Sequence, residues 1–148
     1  MLLQIMEFLL AEAVGELNPA PARAVIAPGA LVAWDDCCDG YAWARLVTVT
    51  APTTPVQSQG PTLWIIQVAL GVLRCAASLD DSGNTPTAAQ VTADGVQGLA
   101  DMEALARAFR CSGLQPLMMG SWTPTGPAGA CFGGEWTATL RVPVECCP

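Results

Sequence analysis

Residues 62–76 read Thr62-Leu63-Trp64-Ile65-Ile66-Gln67-Val68-Ala69-Leu70-Gly71-Val72-Leu73-Arg74-Cys75-Ala76, the longest apolar run in the chain. On the two-residue period of a strand, Trp64, Ile66, Val68, Leu70 and Val72 fall on one face, and Leu63, Ile65, Ala69, Leu73 and Cys75 on the other. Both faces are apolar, so the run predicts a central strand covered on both sides. Everything else in the sequence is read as what pairs with this strand or packs on it.

Upstream, residues 25–38 and 41–52 are rich in β-forming side chains and are separated by Asp39-Gly40, a tight-turn dipeptide, so they are expected to pair as a hairpin. Residues 2–17 carry Leu, Ile, Met, Phe and Val around most of a helical circumference, with a narrow polar stripe through Gln4, Glu7, Glu12 and Glu16. This helix has to be covered widely, by the rest of the domain or by a neighbouring subunit, and Asn18-Pro19 and Pro21 end it. Residues 51–61, rich in Pro, Thr, Ser and Gln and without a hydrophobic period, predict an exposed, mobile loop.

Downstream, Thr85-Pro86 supplies an N-cap and a first-turn proline for a second helix. Its expected inward stripe is Val91, Leu99, Met102, Leu105, Ala106 and Phe109, its middle is weakened by Gly95 and Gly98, and it stops at residues 111–113. A short strand is expected near residues 117–122, then a Gly/Pro loop over 123–134. In the final strand, Trp136, Ala138, Leu140, Val142 and Val144 face in while Glu135, Thr137, Thr139, Arg141 and Glu145 face out. The order predicts an α+β fold: a mostly antiparallel sheet with an N-terminal helix and a second long helix packed on it, in one domain spanning 1–148.

Composition removes several kinds of chemistry. The chain has no His, and its six basic residues are all Arg. Without imidazole there is no Ser-His or Cys-His nucleophile and no ordinary zinc hydrolase site; without an amine there is no Schiff-base or phosphate-loop lysine. No catalytic, cofactor-binding or metal-ligating residue is expected. A net charge of -7 opposes binding to a phosphate backbone and suits a surface past which DNA slides without sticking. Hydrophobic residues make up 52% and charged ones only 13%, which points to surface reserved for neighbours. The first ten residues lack a basic leader and are followed by Glu12 and Glu16, so neither an export signal nor a membrane span is expected, and assembly in the cytoplasm is the default.

Four features stand out as possible sites. The seven cysteines (Cys37, Cys38, Cys75, Cys111, Cys131, Cys146, Cys147) are expected to be mostly buried free thiols, with disulfides formed in an oxidising medium or a metal site as alternatives. Asp35, Asp36 and Asp39 beside Gly40 are what a turn requires, and they lack the glycine and distal Glu of a calcium loop. The glycines Gly126, Gly129, Gly133 and Gly134 lead into a strand rather than a helix, so a loop touching a neighbouring subunit is favoured over a dinucleotide site. Of the five tryptophans, Trp43 and Trp122 stand among polar or turn-forming residues and are the expected interface candidates.

Residues 34–47, 70–90, 100–109 and 122–142, together with the order of elements, resemble the tail terminator (head–tail joining, neck) proteins of long-tailed phages, particularly those infecting actinobacteria. The resemblance implies an α+β subunit of a homohexameric ring seated on the last ring of tail-tube protein. It would end tube polymerisation and present the surface on which a DNA-filled head docks through stopper or connector proteins. DNA would pass through the channel without specific binding, and the protein would reside at the tail–neck region of the virion with no membrane. Contacts between subunits or with the tube are expected in two loops, through Thr53, Thr54, Val56 and Gln57 and through Trp122, Pro124, Pro127 and Phe132. A head–tail stopper or adaptor is the alternative within virion proteins. A small ligand-binding or carboxylate-based enzyme domain is the alternative outside them.

Overall fold

A computed structural model describes residues 1–29, 32, 36–51, 62–79, 81–115 and 117–144. The elements run α1 (Leu2–Glu16), β1 (Arg23–Ala27), β2 (Tyr41–Thr50), β3 (Thr62–Cys75), α2 (Ala88–Cys111), β4 (Leu117–Ala128) and β5 (Cys131–Val144). The five strands form one sheet in the order β1-β2-β3-β5-β4, antiparallel except for β1 against β2, with β3 at its centre. Both helices pack against the same face, so the α+β architecture expected from the sequence is the one observed.

That helical face holds the main core. Ile66, Val68, Leu70 and Val72 of β3 are fully buried with Ala42 and Ala44 of β2 and Ala138 and Leu140 of β5, under Met6, Leu9, Ala13 and Leu17 from the α1 segment and Leu105 and Phe109 of α2. The α1 residues recur at helical spacing along one stripe, and each fully buried large side chain contributes about 1.5–3 kcal/mol. Coverage of α1 is therefore intramolecular on this stripe, while Leu3 and Phe8 remain exposed. The indole Nε1 of Trp136 donates to the Met102 carbonyl at 2.8 Å and ties α2 to β5.

The opposite face is covered at one end only. Leu73, Trp43, Tyr41 and Cys131 are buried there with Ala27 and Cys37. Towards the other end, Leu63 and Ile65 are each 40% exposed, so β3 is covered on both faces only over its second half. The sequence expectation of a strand covered throughout is corrected to that extent. Trp43, expected at an interface, is buried in this second cluster; its indole overlies Gly71, where any added Cβ would overlap the ring.

The expected hairpin of residues 25–38 and 41–52 is not formed. β1 is only five residues long and runs parallel to β2, pairing Arg23 with Tyr41 and Ala27 with Arg45. A parallel pair needs a crossover of about a dozen residues, and the chain between Ala27 and Tyr41 is long enough to supply it. Asp39-Gly40 turns the chain into β2 rather than between two antiparallel strands, with the Ala22 amide donating to the Asp39 carbonyl at 2.8 Å.

The cysteines also depart from expectation. The crossover brings Cys37 to Cys131 and Cys38 to Cys75, and both pairs are disulfide-bonded. Cys75 and Cys131 are themselves register partners on β3 and β5, so the vicinal pair clips the crossover to two adjacent strands. Cys111 is free but exposed, not buried. Trp34, Asp35, Glu145, Cys146 and Cys147 lie outside the described residues.

Candidate functional site

Two buried arginines show how polar groups are used inside this fold. Arg74 on β3 donates from Nε and Nη2 to Asp101 on α2 at 3.0 and 2.9 Å, and Asp101 also accepts from Gln97 Nε2 at 2.9 Å. On the other face, Arg45 Nε donates to Glu135 at 2.9 Å and its Nη2 binds the second carboxylate oxygen, while Trp43 Nε1 donates to the same carboxylate at 3.1 Å. Hydrogen bonding to Glu135 raises the Arg45 pKa above its ordinary value, outweighing the opposing effect of burial. Glu135, expected to face solvent, is thus the anchor of a half-buried network. Among the described residues, no group of three or more His, Cys, Asp or Glu is arranged to hold a metal.

The open site lies on the helical face, beyond this network. The Gly/Pro stretch expected as a loop is instead a hairpin: β4 continues to Ala128, β5 starts at Cys131, and Gly129-Ala130 form a two-residue turn with φ of 57° and 62°. Prolines 124 and 127 are tolerated because β4 is the edge of the sheet, where a missing N–H breaks no inner ladder. Strand alternation then carries Trp122 over Gly134, whose missing side chain leaves room for the indole, with the Trp122 and Trp136 ring centroids 6.1 Å apart.

Facing this hairpin is the first half of α2. Thr87, two residues later than the expected cap, accepts through its hydroxyl from the Gln90 amide, and the Thr87 amide donates in return to the Gln90 side-chain oxygen. Val91, Gly95 and Gly98 follow at i, i+4 and i+7, so they share one side of the helix. The two glycines do not interrupt α2, which is continuous over 24 residues. A Cβ on Gly95 would meet nothing within 4 Å, and one on Gly98 would just touch the Phe132 ring at 3.5 Å.

Between helix and hairpin runs a groove of about 340 Å³, lined chiefly by Val91, Leu99, Trp122, Pro124, Pro127 and Phe132. Asp94, the one carboxylate on its rim among the described residues, accepts a hydrogen bond from the Ala77 amide at 2.7 Å. Such a groove can seat an apolar, uncharged segment of a partner by burying aromatic and proline surface.

Of the described residues chosen from the sequence as contact candidates, Trp122, Pro124, Pro127 and Phe132 line this single groove, whereas Trp43 is buried on the other face of the sheet. Thr53, Thr54, Val56 and Gln57 lie outside the described residues. Val91 and Leu99, expected to face inward, are 57% and 60% exposed on the open side. The signal that could have found them is the pairing of an apolar stripe with glycines at 95 and 98, which withholds the side chains a core stripe would supply.

No described helix is long and apolar enough to cross a membrane. No protein-family model matches the chain, and no curated protein is similar to it in sequence.

Proposed function

We propose that this chain is a structural virion protein of the tail-terminator kind. Copies of it assemble into a ring, six in number, on the end of a phage tail tube, end tube polymerisation and offer the surface on which head-side stopper or connector proteins dock. It is made in the host cytoplasm, acts at the tail–neck region, and passes DNA without binding it specifically.

The observation that carries this reading is the surface the fold leaves uncovered. An apolar groove beside the exposed Val91 and Leu99, together with exposed Leu3 and Phe8 on α1 and Leu63, Ile65 and Met118 on the sheet, leaves apolar surface open at several places on the subunit. Several distinct patches on one small subunit fit a protein with several neighbours. The charge pattern agrees, because Arg45, Arg74 and Arg107 are all committed to ion pairs. Against a net charge of -7, little cationic surface is left to hold a phosphate backbone.

Light scattering on the purified chain, followed by electron microscopy of the chain mixed with tail tubes from the same phage, tests the proposal. Rings near six subunits, or density confined to tube ends, are expected. A monomer that ignores tube ends would overturn it.

A further inference from the structure

Beyond the core, the fold offers a partner the groove, a pocket beside Arg107 and Arg110, an apolar notch at Leu2 and Trp64, and the exposed half of the sheet. The groove is set apart from the others because the chain's own sequence contains a segment suited to it.

Residues 51–61 read Ala-Pro-Thr-Thr-Pro-Val-Gln-Ser-Gln-Gly-Pro and carry no charge, so moving them into an apolar groove desolvates no ion. Pro52 and Pro55 are three apart, the period at which side chains of a polyproline-type extended helix stand on one edge. Grooves walled by aromatic and proline side chains are the usual receptors for such segments, since the ligand loses little conformational freedom on binding. The groove walls here are Trp122, Phe132, Pro124 and Pro127, and Gly95 and Gly98 keep the helix side free of bulk.

Geometry decides whether the segment could occupy its own groove. It leaves the sheet after Thr50 and returns at Thr62, where β3 begins. Trp122 sits across from Trp136, which pairs with Leu70, and Phe132 pairs with Arg74. At about 3.3 Å per strand residue, the groove therefore lies roughly 26–40 Å along β3 from Thr62. A segment of about ten residues that must go out and come back reaches at most about 17 Å. Self-occupation is excluded by that difference.

We propose that the groove between α2 and the β4–β5 hairpin receives residues 52–61 of a second copy of this chain, so that copies associate head to tail. The segment is anchored at Thr50 and Thr62, at the far end of β3 from the groove, so donor and acceptor are different parts of the chain and the contact is heterologous, the kind that closes into a ring when its rotation closes. The inference rests on the self-association in the reading above, but not on the tail tube.

Three measurements on the full chain test it. A labelled synthetic peptide of residues 51–61 should bind the wild-type protein, and Gly95→Phe or Val91→Asp should weaken that binding at least tenfold while leaving the circular dichroism unchanged. Light scattering should show lower mass for Gly95→Phe and for the double variant Pro52→Asp/Pro55→Asp, each alone. Mixed together, these two variants still hold one intact groove and one intact segment between them, and should recover dimer mass but nothing larger. A peptide that fails to bind, or a mixture that stays monomeric, would overturn the inference. Rings that persist in both variants overturn it too and leave the ring proposal standing, whereas a wild type that binds peptide but never engages tube ends overturns the tail-terminator reading alone.

Discussion

The two halves of α2 make a useful contrast. In the second half, Asp101, Ala104, Leu105, Ala108 and Phe109 are buried, with Asp101 only 1% exposed and held by Arg74. In the first half, Val91, Val96 and Leu99 are all exposed, although they are as apolar as the residues that follow. One continuous helix is thus fastened to the sheet at its C-terminal end and held off it at its N-terminal end. The difference lies in what faces it: β3 and β5 approach the second half, while the hairpin leaves the groove against the first.

The same division runs along β3, whose second face is sealed by the disulfide-clipped crossover near Cys75 and open near Leu63 and Ile65. The covered regions carry the stability of the subunit. The open ones are where neighbours can attach.

Breaking the fastened half should have the largest effect. Asp101→Ala strands the buried Arg74 guanidinium, and unfolding in urea should show a loss of about 3–5 kcal/mol. If the loss were under about 1 kcal/mol, the two halves of the helix would not differ as described. Next comes the crossover: Cys37→Ser removes a bridge closing a sequence separation of 94 residues, and should cost about 2–4 kcal/mol under oxidising conditions. Under a reducing agent the variant and the wild type should converge. The smallest effect belongs to the open half, where Gly95→Ala should stabilise by about 0.5–1 kcal/mol, since the added methyl meets nothing and helix propensity improves. Destabilisation by Gly95→Ala would mean that the groove is closed in solution, and the contrast would fall.

Much of the fold was legible because its signals are local. The courses of α1 and β3 and the inward set Trp136, Ala138, Leu140 and Val142 of β5 follow from the spacing of apolar residues, although which stripe of α1 is buried, through Met6, Leu9 and Ala13, does not. The start of α2 was legible to within two residues from Thr85 before Pro86, although a second threonine, Thr87, follows closely. The reciprocal Thr87–Gln90 bonds select the later one. The hairpin was misread because its prolines and glycines, loop signals in most settings, are compatible with an edge strand. Only the sheet order reveals that β4 is one.

Of the groove, the hairpin wall was legible in composition, through Trp122, Pro124, Pro127 and Phe132, and the helix wall was not. Val91 and Leu99 match the helical period of Leu105 and Phe109, and periodicity cannot tell a stripe that meets a sheet from one that meets open space.

By itself, the sequence determined that imidazole and amine side chains are absent and where α1, β2, β3, α2 and β5 run, because each depends on residue type and on spacing within a few turns. Tertiary structure alone decided that β1 runs parallel to β2, that Cys37 meets Cys131, that Arg74 meets Asp101, and that half of α2 stays open. Each of those pairs residues distant in sequence, and which distant surfaces meet is set by the packing of whole elements rather than by any local pattern.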